Sequence, residues 1–216
     1  MRKLFLAFIF IFAASEVQAE TLKQDFVTWT RAGFNIESDK SPFGFQLDQQ
    51  LRLTDSSSKF QSYQTRMFGN YKLDKHLFSL GYILTNEKEN NVNNVWALQY
   101  TNDWELSKLF NWETRLRLEK RWETEAETAD TEESWRGRLR GGLQYKINNH
   151  ISVLVNNEVF FLEKVGFSEN RVQSGFTFKL NEKTSLDLFY QNRFLNEVVD
   201  TLEHTVFTNL NYVISL

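Results

Sequence analysis

The chain has 216 residues, a formal net charge of −3 at pH 7 and no cysteine, so neither a disulfide framework nor a thiol site is available. This charge balance gives no reason to expect a nucleic-acid partner. The mean hydropathy is −0.47, and beyond the N-terminus no apolar run reaches the length of a membrane-spanning helix. A chain of this composition can still enter a membrane as a barrel, because only alternate residues of each strand need to face lipid.

The N-terminus has the features of a secretory signal peptide. Arg2 and Lys3 precede an apolar run from Leu4 to Ala14, and Val17-Gln18-Ala19 supplies a small-residue cleavage pattern. The apolar core is too short for a membrane helix. We therefore expect a signal peptide over residues 1–19 and one mature domain over residues 20–216. The signal carries a net charge of +1, which leaves the mature domain at −4.

The rest of the chain alternates apolar and polar residues with a period of two, which is typical of strands with two different faces. In residues 135–147, for example, Arg136, Arg138 and Arg140 share one face of a strand, and the opposite face is apolar. The predicted strands, in chain order, are Phe26–Ile36, Phe43–Leu53, Tyr63–Leu73, Phe78–Leu84, Trp96–Trp104, Phe110–Trp122, Trp135–Ile147, Ile151–Phe161, Arg171–Leu180, Leu186–Phe194 and His204–Leu216.

Connection lengths predict how these strands are arranged. Connections at 74–75, 148–150 and 181–183 are short, whereas those at 86–94, 123–134, 162–169 and 195–203 are long and polar. Short turns on one side and long loops on the other indicate an all-β, transmembrane, antiparallel up-and-down barrel of 10–12 strands, with the long loops outside the cell. Bacterial barrels have even strand numbers. We therefore favour ten strands, with Phe26–Ile36 as an extra edge strand or a plug, or else as part of a twelve-stranded barrel.

Several segments resemble a family of Gram-negative outer-membrane barrels, the domain of unknown function family numbered 2490. The resemblance lies in RLRGGLQYKINN from Arg138, in Asn157–Phe161, in the Ser168–Phe194 segment, and in Asp25-Phe26 with Trp29 and Leu51-Arg52-Leu53 near the N-terminus. It covers roughly residues 24–216 and implies a barrel, but no catalytic residue, because the family has no assigned activity. The last strand is similar to the signal read by the barrel-assembly machinery, although it ends in Leu216 where an aromatic residue is usual.

Placing the polar face of each strand inward predicts an arginine-rich lumen. Thirteen cations then face five carboxylates, a surplus of eight positive charges in a chain that is negative overall. The residues are Arg52, Arg66, Lys72, Arg115, Arg117, Arg121, Arg136, Arg138, Arg140, Lys146, Arg171, Lys179 and Arg193, with Asp48, Glu113, Glu119, Glu158 and Asp187. On the outward face, aromatic girdles at the two membrane interfaces are predicted from Trp96, Trp104, Trp112, Trp122, Trp135 and Tyr145.

Three functions are compatible with this lumen. The first is a narrow structural barrel filled by arginine–carboxylate pairs. The second is a small channel that favours anions, since rings of arginine line anion pores. The third is a lipid-modifying enzyme, for which His204 on the outward phase is the one suitably placed base. His76 and His150 lie at turns, no serine is evidently paired with a histidine, and no nucleophile elbow, phosphate loop or zinc pattern occurs.

We accordingly predict no catalytic residue, no cofactor and no metal site. The acidic segment Glu123–Glu133 carries six carboxylates and is interpreted as a solvated extracellular loop, or alternatively as a divalent-ion contact with lipopolysaccharide. The expected partners are outer-membrane lipid, lipopolysaccharide and the barrel-assembly machinery. We expect a monomer.

Overall fold

The computed structural model describes residues 23–38, 40–54, 59–88, 91–196 and 201–215, so the signal-peptide prediction lies outside the described residues. No helix in these ranges is long and apolar enough to span a membrane. The strands are β1 (Lys23–Ser38), β2 (Ser41–Thr54), β3 (Lys59–Leu73), β4 (His76–Glu87), β5 (Val92–Glu105), β6 (Phe110–Thr124), β7 (Thr131–Lys146), β8 (Ile151–Leu162), β9 (Gly166–Lys179), β10 (Thr184–Leu195) and β11 (Thr201–Ser215).

The strands form one closed barrel in sequence order, which confirms the predicted fold class. Neighbours from β1 to β11 are antiparallel, and the barrel closes where β1 pairs with β11 in parallel, from Lys23↔Thr201 to Glu37↔Ser215. Every strand thus has two hydrogen-bonded neighbours. No strand edge with unpaired N–H and C=O groups is left in the described part of the chain.

The barrel has eleven strands, so the preference for ten was wrong. Phe26–Ile36, expected as an extra edge strand or a plug, lies within β1 and completes the wall between β2 and β11. An odd number of alternating strands can close only if the first and the last run in the same direction. The parallel ladder between β1 and β11 meets this requirement, because parallel strands also satisfy their backbone groups.

The two ends of the barrel differ less in connection length than the sequence predicts. The turn end carries the connections 39–40, 74–75, 106–109, 147–150 and 180–183, and the loop end carries 55–58, 88–91, 125–130, 163–165 and 196–200. Most of the residues expected in long loops continue the strands instead. The acidic segment is an example, since β6 and β7 stay paired as far as Thr124↔Thr131. Continued pairing satisfies backbone groups that an open loop would leave to solvent.

The alternation of apolar and polar residues along each strand distinguishes the outer face of the barrel wall from its inner face. Outward-facing side chains are mainly large and apolar, such as Leu80, Leu98 and Leu116, whereas Asp48, Glu119 and Asn209 are buried within the barrel. The predicted girdle residues all lie on the outward phase of their strands. Trp96, Trp122 and Trp135 lie toward the loop end, and Trp104, Trp112 and Tyr145 lie toward the turn end.

Engineered cysteines test the closure of the barrel, because the native chain has no cysteine. Thr30 of β1 and Thr208 of β11 are register partners on the outward face. We expect the pair Thr30→Cys and Thr208→Cys to form an intramolecular disulfide on mild oxidation, detected by intact mass and gel mobility. The control pair Leu51→Cys and Thr208→Cys should not crosslink, because β1 lies between β2 and β11. A crosslink in the control pair alone would contradict the eleven-stranded closure.

Candidate functional site

The candidate site is a set of charged side chains in the interior of the barrel, termed here the lumenal charge network. It holds ten guanidinium groups and seven carboxylates, a surplus of three positive charges. Its members are Arg31, Arg52, Arg66, Arg115, Arg117, Arg136, Arg138, Arg140, Arg171 and Arg193, with Asp48, Glu113, Glu119, Glu158, Glu169, Asp187 and Glu203.

The densest part of the network is centred on two carboxylates, Glu119 of β6 and Glu158 of β8. Glu119 has no solvent exposure. Its carboxylate accepts hydrogen bonds from Arg136 Nε at 2.6 Å and Arg138 Nη1 at 2.8 Å, and Arg117 Nη1 lies 3.5 Å away. Glu158 Oε1 accepts from Arg138 Nη2 at 3.0 Å and from Arg115 Nη2 at 2.7 Å. Arg138 therefore bridges the two carboxylates and links the side chains of the consecutive strands β6, β7 and β8.

A second group of ion pairs lies near the loop end and involves β9, β10 and β11. Glu169 accepts hydrogen bonds from Arg171 and from Arg193 Nε, the latter at 2.5 Å. Arg193 Nη1 also donates to Glu203 Oε2 at 3.1 Å, and the Thr205 hydroxyl donates to Glu203 Oε1 at 3.1 Å. Arg193 is thus held by two carboxylates, in the same way as Arg138.

A third group lies around Asp48 and Asp187. Arg66 Nη2 is 3.1 Å from Asp48 Oδ2, and Asp187 Oδ2 accepts hydrogen bonds from Asn209 Nδ2 at 2.7 Å and Asn211 Nδ2 at 3.0 Å. Asn209 in turn accepts from Arg31 Nε at 2.7 Å. These contacts form two sets on the side of the lumen where the barrel closes, one between β2 and β3 and one that joins β10, β11 and β1.

Aromatic rings fill the space between these ion pairs. The Phe160 ring is fully buried, with the guanidinium carbons of Arg171 and Arg138 at 4.3 Å and 4.5 Å from its centroid. Arg52 lies 4.0 Å from the centroid of Trp29. Stacking on a ring face is favourable for guanidinium groups. A cation that forms no ion pair among the described residues, such as Arg52, is thereby accommodated.

Most of the network was predicted from the sequence, and its remaining members were missed. Glu169 and Glu203 were assigned to loops, although the structure places them in β9 and β11, and Arg31 was left out because the strand that carries it was uncertain. The inward aromatic residues Trp29, Phe68, Phe160, Phe189 and Phe207 were also missed. The alternation of residues could have identified them. Phe160 and Phe189, for example, lie two residues after Glu158 and Asp187 and therefore on the same inward face of their strands.

The other predicted residues lie apart from the network. Lys72, Lys146 and Lys179 lie toward the turn end, and Arg121 pairs with Glu123 near the loop end. The described residues include no group of three or more histidine or acidic residues that could hold a metal ion. His204, the candidate base, hydrogen-bonds to the Tyr190 hydroxyl at 2.6 Å and to Asn192 Oδ1 at 3.0 Å on the outward face.

These features define the class of protein: a closed, porin-like β-barrel whose lumen is filled by ion pairs. Among solved structures, the chain is similar to the NanC porin in its rhombohedral crystal form, with a TM-score of 0.50 and 10% sequence identity over 79% of this chain and 89% of that one. This likeness concerns the fold. A search of curated proteins gives no match.

The family is given by the sequence itself. The profile of the family described as "Protein of unknown function (DUF2490)" matches residues 26–201, and the chain belongs to this family. The resemblance seen in the sequence is thereby confirmed.

Removing one buried carboxylate tests the energetic role of the network. We expect Glu119→Gln to lower the free energy of unfolding by about 3–5 kcal/mol, because three arginines would lose their shared counter-charge inside the barrel. Urea titration of the detergent-solubilised protein, followed by tryptophan fluorescence, measures this change. Glu132→Gln is the matched control, since Glu132 pairs with Lys164 and both side chains are about 70% exposed. Equal stability losses in the two variants would contradict a special role for Glu119.

Proposed function

We propose that this protein is an outer-membrane barrel with a structural role, whose lumen is sealed by the lumenal charge network. The signal peptide predicted over residues 1–19 supports export, and the apolar outward face with its two aromatic girdles supports insertion into a membrane. In this proposal the loop end faces the outside of the cell and the turn end faces the periplasm. The protein contacts outer-membrane lipid and lipopolysaccharide, is inserted by the barrel-assembly machinery and acts as a monomer.

The observation that carries the proposal is burial in the middle of the lumen. Glu119, Phe160, Thr205, Asn209 and Asp48 are each at most 1% exposed, although they come from four different strands. A water-filled pore would leave inward polar groups accessible to solvent. Here the polar groups form hydrogen bonds and ion pairs with side chains of neighbouring strands. Arg117 over Phe68 and Arg171 over Trp29 reach strands farther around the barrel, so we expect no continuous aqueous path.

Two further functions are compatible with the sequence. The anion channel finds some support in the surplus of three positive charges, but eight of the ten arginines contact a carboxylate. Paired guanidinium groups offer less attraction to a passing anion than free ones. The lipid-modifying enzyme finds less support, because the described hydrogen bonds of His204 lead to Tyr190 and Asn192 and not to a nucleophile.

Planar-bilayer recording tests the sealed lumen. We expect the wild-type protein to give no stepwise conductance after insertion, which is verified separately by protease protection in liposomes. Phe160→Ala should introduce conductance steps, because the ring on which three guanidinium groups stack would be removed from the lumen.

The matched control is Phe161→Ala, whose side chain is 47% exposed on the outward face and which should be as silent as the wild type. Steady conductance of the wild-type protein would overturn the sealed barrel. A reversal potential showing anion selectivity would then favour the channel.

A further inference from the structure

A cavity of about 600 Å³ opens at the turn end, below the lumenal charge network. Three turn-end connections, 106–109, 147–150 and 180–183, form its rim, and inward residues of β7 to β10 such as Gln144, Ser152 and Thr177 form its wall. This basic vestibule, as it is termed here, is a blind pocket in the proposed sealed barrel. It would face the periplasm if the turn end does.

Four lysines line the basic vestibule: Lys108, Lys146, Lys179 and Lys183. One carboxylate, Glu182, lines it with them, so the lining has a net charge of +3. None of the four lysines forms an ion pair within the part of the chain that the structure describes. The contrast with the network above is sharp, because most arginines there are neutralised by carboxylates.

The uncharged groups of the vestibule add hydrogen-bond donors. Asn148 Oδ1 accepts hydrogen bonds from the backbone N–H groups of His150 and Ile151, at 2.8 Å and 2.9 Å. Asn181 Oδ1 accepts from the N–H of Lys183 at 2.8 Å. Because both side-chain oxygens are engaged in holding the turns, each amide retains its NH₂ group as a donor for a ligand.

Backbone hydrogen bonds between the turns and neighbouring strands hold the rim of the vestibule in place. Lys179 N–H donates to the His150 carbonyl at 2.7 Å, Lys146 N–H to the Leu109 carbonyl at 2.8 Å, and Val213 N–H to the Lys183 carbonyl at 2.8 Å. Each bond joins a turn to a neighbouring strand. The lysine-bearing backbone is therefore already positioned, which reduces the entropy lost when a ligand binds.

We propose that the basic vestibule binds a small hydrophilic anion that carries two or more negative charges, such as a polyphosphate or a polycarboxylate. The surplus of ammonium groups selects for negative charge, and several donors converge on one cavity. The lining contains no phenylalanine, tyrosine or tryptophan and is dominated by amides, hydroxyls and lysines. These groups match a hydrated, hydrogen-bonding ligand, and Leu109, Ile147 and Val213 complete the lining.

Calorimetric titration of the purified mature protein in an uncharged detergent tests this site. The probes are pyrophosphate and citrate at low ionic strength, where charge interactions are least screened. We expect one site per barrel for at least one probe, and the preferred probe tells a phosphate ligand from a carboxylate ligand. The variant Lys146→Gln with Lys179→Gln should weaken binding by about tenfold.

The matched control is Lys72→Gln with Lys75→Gln, which removes the same charge at the same end of the barrel but outside the vestibule. It should change the dissociation constant by less than about twofold. Absence of binding for both probes, or equal weakening in the two double variants, would overturn the proposal, because the second result indicates a diffuse charge effect. Bilayer conductance bears on the sealed lumen alone, so the two proposals can fail independently.

Discussion

The interior of this barrel depends on charge compensation inside a narrow lumen. A buried carboxylate without counter-charge costs several kcal/mol, and so does a buried guanidinium. Three arginines supply the counter-charge for Glu119, and two carboxylates supply it for each of Arg138 and Arg193. Because most partners belong to neighbouring strands, pairing also supports the register between those strands. The network therefore provides both packing and specificity in a space with little room for water.

Aromatic rings stabilise the buried positive charge that the carboxylates leave uncompensated. The lumenal charge network contains more cations than anions, and the buried rings of Trp29 and Phe160 lie beside its arginines. A ring face attracts a guanidinium group without adding a charge that needs its own solvation. Arg171 illustrates this double arrangement, since it donates to Glu169 and lies over the rings of both Phe160 and Trp29.

Much of this architecture could be predicted from alternation, and the failures have physical causes. β6 and β7 were recognisable because polar and apolar residues separate cleanly between their faces. β1 was uncertain because its inward face carries Val27 and Trp29, which makes apolar residues common on both faces. Glu169 and Glu203 were missed because polar strand extensions look like loops when read from the sequence. The ion pairs themselves could not be derived, since most of them depend on the register between neighbouring strands, which the pattern within one strand does not contain.

The odd strand number has a consequence for how the polypeptide can be connected. In an even-stranded barrel the first and last strands are antiparallel neighbours, so their free ends meet and a short linker could join them. Here β1 starts at the loop end and β11 finishes at the turn end, a full wall height apart. A circularly permuted version would need a linker long enough to run along the whole wall. The position between β1 and β11 is thus the one pair of neighbouring strands in the described barrel that a short connection cannot join.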